Sequence, residues 1–174
     1  MAIYEKCERI PYTISIQLLP HSIQQLQQLG GDLLDVGKHI SLKYLGYEDE
    51  LNEKKLTIVL NKLAGWKVER KKLIIQKSIQ IPGWTQNENI LYLRVGPIDY
   101  LKEMHYEIIK LLKDEIDIFL LQDFEKFCPH ISCRKNYVSE STLELDDVLS
   151  KITNFEINEW NICLHTSKQE YFLC

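Results

Sequence analysis

One four-residue design occurs twice in this chain, as His39-Ile40-Ser41-Leu42 and as His130-Ile131-Ser132-Cys133. Each copy reads imidazole, apolar, hydroxyl, apolar, which is the alternation of a half-buried strand. Side chains of a strand point to opposite faces in turn, so His39 shares a face with Ser41 and Ile40 shares the other with Leu42. The second copy sorts the same way, with His130 beside Ser132 and Ile131 beside Cys133. The chain must therefore build two strands that each bury one face and present a base and a hydroxyl on the other. Brought together, they give a cleft with two titratable bases and two hydroxyl donors, a set suited to acid–base chemistry on a phosphate. A lone His-x-Ser/Thr is weak, and a third copy exists in His165-Thr166-Ser167, but Thr166 and Lys168 break its alternation. The matched pair carries the argument.

Period two extends both copies. Lys43 is expected to continue the His39/Ser41 face and Arg134 the His130/Ser132 face. A phosphate needs hydroxyl donors and a nearby cation, so Ser41, Ser132, Lys43 and Arg134 are candidate phosphate-binding residues. Cys128-x-His130-x-x-Cys133 raises a zinc reading. Alternation separates Cys133 from the other two, and no second ligand cluster completes a tetrahedron. No metal and no cofactor is expected.

The segments His39-Ile40-Ser41-Leu42-Lys43-Tyr44-Leu45-Gly46 and Phe127-Cys128-Pro129-His130-Ile131-Ser132-Cys133-Arg134 resemble the paired motifs of the two-histidine (2H) phosphoesterase superfamily. Within it the chain looks most like the bacterial and viral proteins grouped as 2′-5′ RNA ligase-like or cyclic phosphodiesterases. The likeness spans nearly the whole chain in length, motif spacing and order of elements, although only the motifs are specific. Serine stands in both copies where threonine is more usual, and Cys133 replaces the aliphatic residue that commonly ends the second motif. The resemblance implies an α+β fold, bilobal and internally duplicated, with mixed or antiparallel sheets and flanking helices around a central cleft. It implies one two-lobed domain over residues 1–174, with His39 and His130 as the catalytic acid–base pair. It also places His165 and Tyr171, on the last hairpin, in a region that borders the cleft in relatives, as candidate substrate contacts.

The order of elements agrees with two similar halves. Tyr12 to Leu19 reads as a strand stopped by Pro20, and His21-Ser22 opens a helix that Gly30-Gly31 ends. The His39 strand follows and Gly46 ends it. Leu51, Leu56, Val59, Leu60 and Leu63 form a helical stripe over Glu50 to Leu63. Lys72 to Ile81 and Asn89 to Val95 read as strands around a Pro82-Gly83 turn. Asp99 to Lys113 is a helix, the His130 strand follows, and Ser141 to Ile152 is a short helix. A closing hairpin is expected from Glu156 to Cys174. A strand–helix–strand unit around His39 is thus echoed by one around His130. His21, His105, Trp66 and Trp160 read as structural or solvent-facing residues. Trp84, in the loop after Pro82-Gly83, belongs to no core stripe and is a candidate for stacking on a base.

Composition bounds the partners. The 174 residues suffice for a proper core, and the net charge of −4 gives no general attraction to polyanions. A nucleic acid would have to be held at a small site, which favours a nucleotide, a cyclic oligonucleotide or an RNA terminus over a long duplex. The five cysteines are odd in number and include no Cys-x-x-Cys. With no signal-peptide pattern and no apolar run of ~20 residues, a reduced cytoplasmic setting is expected, bacterial or of a host cell, with no membrane and no obligate protein partner. The expected activity is metal-independent hydrolysis of a 2′,3′-cyclic phosphate or a 2′-5′ linkage. A viral or phage-type enzyme degrading 2′-5′ oligoadenylate or cyclic-oligonucleotide immune signals would use the same motifs. From another class, a non-catalytic RNA-binding module uses repeated α/β units, though the aromatic signature of such modules is missing.

Overall fold

Ile14, Ile16 and Leu18 turn one apolar face of β1 (Tyr12–Leu18) into the core, as their spacing requires. Pro20 stops that strand by opening the next element. It lies in the first turn of α1 (Pro20–Gly30), where a missing N–H leaves no bond unmade. Gly31, at φ +57°, ends the helix and donates its amide to the Gln27 carbonyl. The computed structural model describes residues 12–46, 51–80, 89–115, 127–136, 142–166 and 169–173. After α1 come β2 (Leu34–Val36), β3 (His39–Gly46), α2 (Glu53–Ala64), β4 (Leu73–Ile79), β5 (Ile90–Gly96) and α3 (Ile98–Leu112). The chain closes with β6 (His130–Lys135), α4 (Thr142–Ile152), β7 (Glu156–Ile157), β8 (Trp160–His165) and β9 (Glu170–Phe172).

The strands form two sheets, in the orders β3-β1-β8-β9 and β2-β6-β5-β4-β7. Every pairing is antiparallel, so the mixed alternative does not occur among the described strands. One sheet is curled into a half-barrel. The echo between halves is present: β1 and β3 pair with α1 between them in sequence, and β5 and β6 pair with α3 between them. The expected closing hairpin is corrected. Only β8 and β9 form it, whereas β7 pairs with β4 in the other sheet. Trp160 marks the change of sheet, fully buried at the start of β8 with its indole N–H on the Lys71 carbonyl at 3.0 Å. No described helix is long and apolar enough to cross a membrane.

The strand β2 explains how the two halves meet. It pairs with β6, placing Val36 opposite Cys133, and the chain then reaches the other sheet through Gly37 and Lys38 alone. His39 therefore starts β3 three residues after a strand bonded to the one that carries His130. Gly37 lies so close to the Ser132 carbonyl that an added Cβ would fall far inside van der Waals contact. From below, His105 of α3 ties the same two strands. Buried in the core, it donates from Nδ1 to the Leu42 carbonyl on β3 and stacks on Phe127, just before β6, with ring centroids 4.3 Å apart. Since a carbonyl only accepts, Nδ1 carries the proton.

Gly37→Ala should push the Ser132 backbone away from β2, lowering stability by about 1–3 kcal/mol, as overpacking does, and lowering turnover with it. Gly65→Ala is the control, because its nearest neighbour, the Lys62 carbonyl, stays at 3.7 Å. Chemical denaturation and phosphodiester turnover of both variants check this. A Gly37→Ala protein with wild-type stability and rate would remove this contact as the junction between the halves.

Candidate active site

On β6, Ile131 and Cys133 are fully buried, while His130, Ser132 and Arg134 occupy the opposite face. Burial pushes the Cys133 thiol up to about 11, so it is a core group. The register with β5 sets Arg94 opposite His130, Tyr92 opposite Ser132 and Ile90 opposite Arg134. Residues directly opposite share a face, so Arg94 and Tyr92 join this row. The Tyr92 ring meets His130 edge-on at 5.1 Å between centroids. His130 Nδ1 lies 2.7 Å from the Cys128 carbonyl, so Nδ1 bears the proton and Nε2 is the nitrogen that exchanges one. Arg134 stands exposed on the row, with Asp35 of β2 opposite it.

On β3, Ile40 and Leu42 are buried and His39 and Ser41 lie on the other face. The rows across this sheet are His39–Gln17–Asn161 and Ser41–Ser15–Cys163. His165 also comes to His39, with ring centroids 5.8 Å apart, and its Nδ1 lies 3.1 Å from a Glu170 carboxylate oxygen. The third His-x-hydroxyl copy thus supplies a histidine beside the first.

Lys43 is a correction. The β1–β3 register shifts between Ser15, opposite Ser41, and Ile14, opposite Lys43, so a bulge at Leu42 breaks period two. Lys43 lands opposite a core isoleucine with 2 % of its surface exposed, and Tyr44, across from Thr13, continues the His39/Ser41 face instead. Tyr171 is a second correction. It pairs with Leu164, on the face opposite the His165–Glu170 pair, and packs against the core. There it lines a separate cavity of about 540 Å³ with Tyr12, Asn52, Leu56 and Thr166. Among the described residues, the exposed aromatics on the His39/Ser41 face are Tyr44 and Phe172, the latter opposite Cys163. Trp84 lies outside the described residues.

The two imidazoles sit in different fields. His39 is depressed below the ordinary 6.5, first by burial and then by the charges of His165 and His130, against a smaller opposite pull from Glu170. The residue is exposed overall, yet enough protein surrounds its ring to disfavour the cation. β3 and β6 pack against each other across the two sheets, which brings the two motifs towards one place. His130 is depressed by burial too, but the Cys128 carbonyl pulls it back up. Among the described residues no group of three or more His, Cys, Asp or Glu side chains is placed to hold a metal ion.

Arg94, Tyr92, Gln17 and Glu170 were not anticipated. The signal available was faint: Arg94 is the one charge inside the otherwise uncharged run Ile90-Leu91-Tyr92-Leu93-Arg94-Val95-Gly96. Nothing local shows which strand lies beside β6, so the pairing of Arg94 with His130 needs the fold.

No family model matches the chain, and no curated protein matches its sequence. Solved structures do match in shape. A phosphoesterase crystal structure is 15 % identical with a TM-score of 0.56, covering 95 % of this chain and 94 % of that one. Escherichia coli LigT complexed with 3′-AMP is 12 % identical with a TM-score of 0.55, over the same shares. Kluyveromyces marxianus Usb1 with uridine monophosphate is 11 % identical with a TM-score of 0.50, covering 95 % and 98 %. These neighbours are two-histidine phosphoesterases, and the fold of this chain is theirs.

Because both imidazoles are depressed, the free protein reaches one neutral and one charged ring only below ~6.5. The bell of kcat/KM should therefore peak on the acid side of that value, with constants that belong to the pair. A bound phosphodiester anion favours imidazolium, so the kcat profile should move to higher pH. Initial rates from pH 4 to 9 check both, and a kcat/KM optimum above pH 7 would contradict the assignment.

Proposed function

We propose that this chain is a metal-independent phosphodiesterase acting on nucleotide or RNA-end phosphodiesters, a 2′,3′-cyclic phosphate or a 2′-5′ linkage being the target. The observation that carries the reading is the packing of β3 on β6, which brings two histidine–hydroxyl pairs from separate sheets towards one another. Such a pair spans a phosphodiester from the side of attack to the side of departure.

His39 is the proton acceptor in hydrolysis, because burial first, and then two neighbouring imidazoles, disfavour its charge. It takes the proton of water as the water oxygen bonds to phosphorus. His130 is the donor, since the Cys128 carbonyl favours charge on its ring. It gives its Nε2 proton to the ribose oxygen as the P–O bond breaks. The products are a phosphomonoester and a ribose hydroxyl, and one proton passes from His39 back to His130 through solvent to reset the site. Ser41 and Ser132 donate to the non-bridging oxygens as charge builds there. Each acid–base group contributes roughly 10²–10⁴-fold. Tyr44 and Phe172, exposed on the same face as His39, offer rings on which a flanking base can stack.

His39→Ala and His130→Ala should each lose turnover of adenosine 2′,3′-cyclic phosphate by about those factors while staying folded. A diester with a nitrophenolate leaving group separates the roles. Nitrophenolate departs without a proton, so His130→Ala should regain activity on it and His39→Ala should not. Equal loss on both substrates would overturn the assignment of acid and base, and full activity in either variant would overturn the reaction class. Activity in EDTA is expected. A screen of 2′,3′-cyclic nucleotides, 2′-5′ dinucleotides and cyclic oligonucleotides then distinguishes RNA-end processing from removal of nucleotide signals.

A further inference from the structure

The guanidinium of Arg94 is the side chain on the catalytic face whose arrangement nothing so far explains. It stands directly opposite His130 on the neighbouring strand, and is half buried. Its Nε is shut off from solvent and has no hydrogen-bond partner among the described residues. Other basic side chains do meet carboxylates: Lys62 meets Glu115, Lys72 meets Glu156 and Lys151 meets Asp147. Among the described residues no carboxylate pairs with Arg94, and of the cations on this row it is the one with a buried donor left unpartnered. A desolvated donor without an acceptor costs stability, and such a donor in a native protein calls for an explanation.

The other cations do not meet the same need. Lys43 is turned into the core by the Leu42 bulge, and Arg134 lies four residues along the strand from His130, opposite Ile90 and Asp35. The duplication sharpens the contrast. Gln17 stands opposite His39 just as Arg94 stands opposite His130, so the two halves, near-identical in their motifs, differ in carrying an amide on one side and a cation on the other.

We propose that Arg94 is a catalytic residue whose guanidinium holds the non-bridging phosphate oxygens beside His130. This rests on the phosphodiesterase reading. As water adds, the two non-bridging oxygens pass from sharing one negative charge to carrying nearly two, and a fixed guanidinium gains most at that point. Its planar fork presents two parallel N–H groups to those oxygens, which a lysine in the same place does not. Arg94 itself exchanges no proton and forms no bond to phosphorus.

Two measurements test this. In the first, inorganic phosphate is titrated into the wild-type protein and the Arg94 Nε–H resonance is followed by NMR. The resonance should shift saturably, and the apparent Kd should rise at least about tenfold in Arg94→Gln and less in Arg94→Lys, given the loss of a charge-assisted pair. In the second, kcat and KM for adenosine 2′,3′-cyclic phosphate are measured for the same variants, with folding checked from backbone amide spectra. Arg94→Gln should lose about 10²–10³-fold, chiefly in kcat, by analogy with removal of one oxyanion donor. Arg94→Ala should recover in part with added guanidinium chloride at low millimolar concentration, and Arg94→Lys should not. An unmoved Nε–H resonance, or an Arg94→Gln variant with wild-type phosphate affinity, would overturn the proposal. If wild type binds phosphate through Arg94 but hydrolyses no phosphodiester, the phosphate site stands and the phosphodiesterase reading falls.

Discussion

The site depends on a crossing of only two residues, Gly37 and Lys38, between one sheet and the other. β2 is hydrogen-bonded to β6, and β3 follows at once in the other sheet, so the chain itself holds the two histidine strands together. Covalent proximity does what a large interface would otherwise have to do. It also explains why the crossing carries glycine, since any Cβ at Gly37 would meet the Ser132 carbonyl. The Lys38 carbonyl accepts from the Leu18 amide at 2.9 Å, which binds the crossing to the end of β1. His105 then locks the junction from the helix side, touching β3 through the Leu42 carbonyl and the approach to β6 through Phe127.

The depressed imidazoles link the site to stability. Both are depressed below 6.5, so between that value and their native constants the unfolded chain binds more protons than the folded one. Stability rises with pH there: their contribution is complete above ~6.5 and is lost as pH falls through the native constants. The pH at which the free site holds its one-neutral, one-charged pair thus lies within the window where the fold begins to lose stability. Binding of an anion relieves both effects, because it favours the charged ring in the folded state alone.

The strands and helices were readable to the extent that they repeat a period. β1, β3, β4, β5 and β6 fall where alternation put them, and α2 and α3 where their apolar stripes lie. β2, three residues long, is too short to show a period, yet it sets the distance between the motifs. The failure at Lys43 has one cause: period two holds only while the ladder is regular, and a bulge at Leu42 turned the next side chain inward. Tyr171 failed for a simpler reason, parity, since its neighbours Glu170 and Phe172 take the catalytic face. The faces of His39, Ser41, His130 and Ser132 could be read because each motif states its own alternation. Arg94 could not, because its meaning comes from the strand beside it.

The two halves therefore show a division that their motifs conceal. Both offer a histidine and a serine on a strand edge-on to its neighbour, and a symmetric pair of that kind has no direction. Direction enters through the cross-strand and cross-sheet neighbours. His39 gathers imidazoles, with Gln17 beside it, and is better neutral. His130 has a carbonyl on Nδ1 and a guanidinium across the ladder. A carbonyl acceptor steadies the protonated ring, and a cation at hand invites the phosphate to that side, where its charge in turn favours a protonated His130. In the proposed mechanism the phosphate thereby becomes part of the device that protonates the leaving-group side. In that mechanism the two motifs supply two equivalent bases, and their neighbours, His165 beside His39 and Arg94 beside His130, make one of them accept and the other donate.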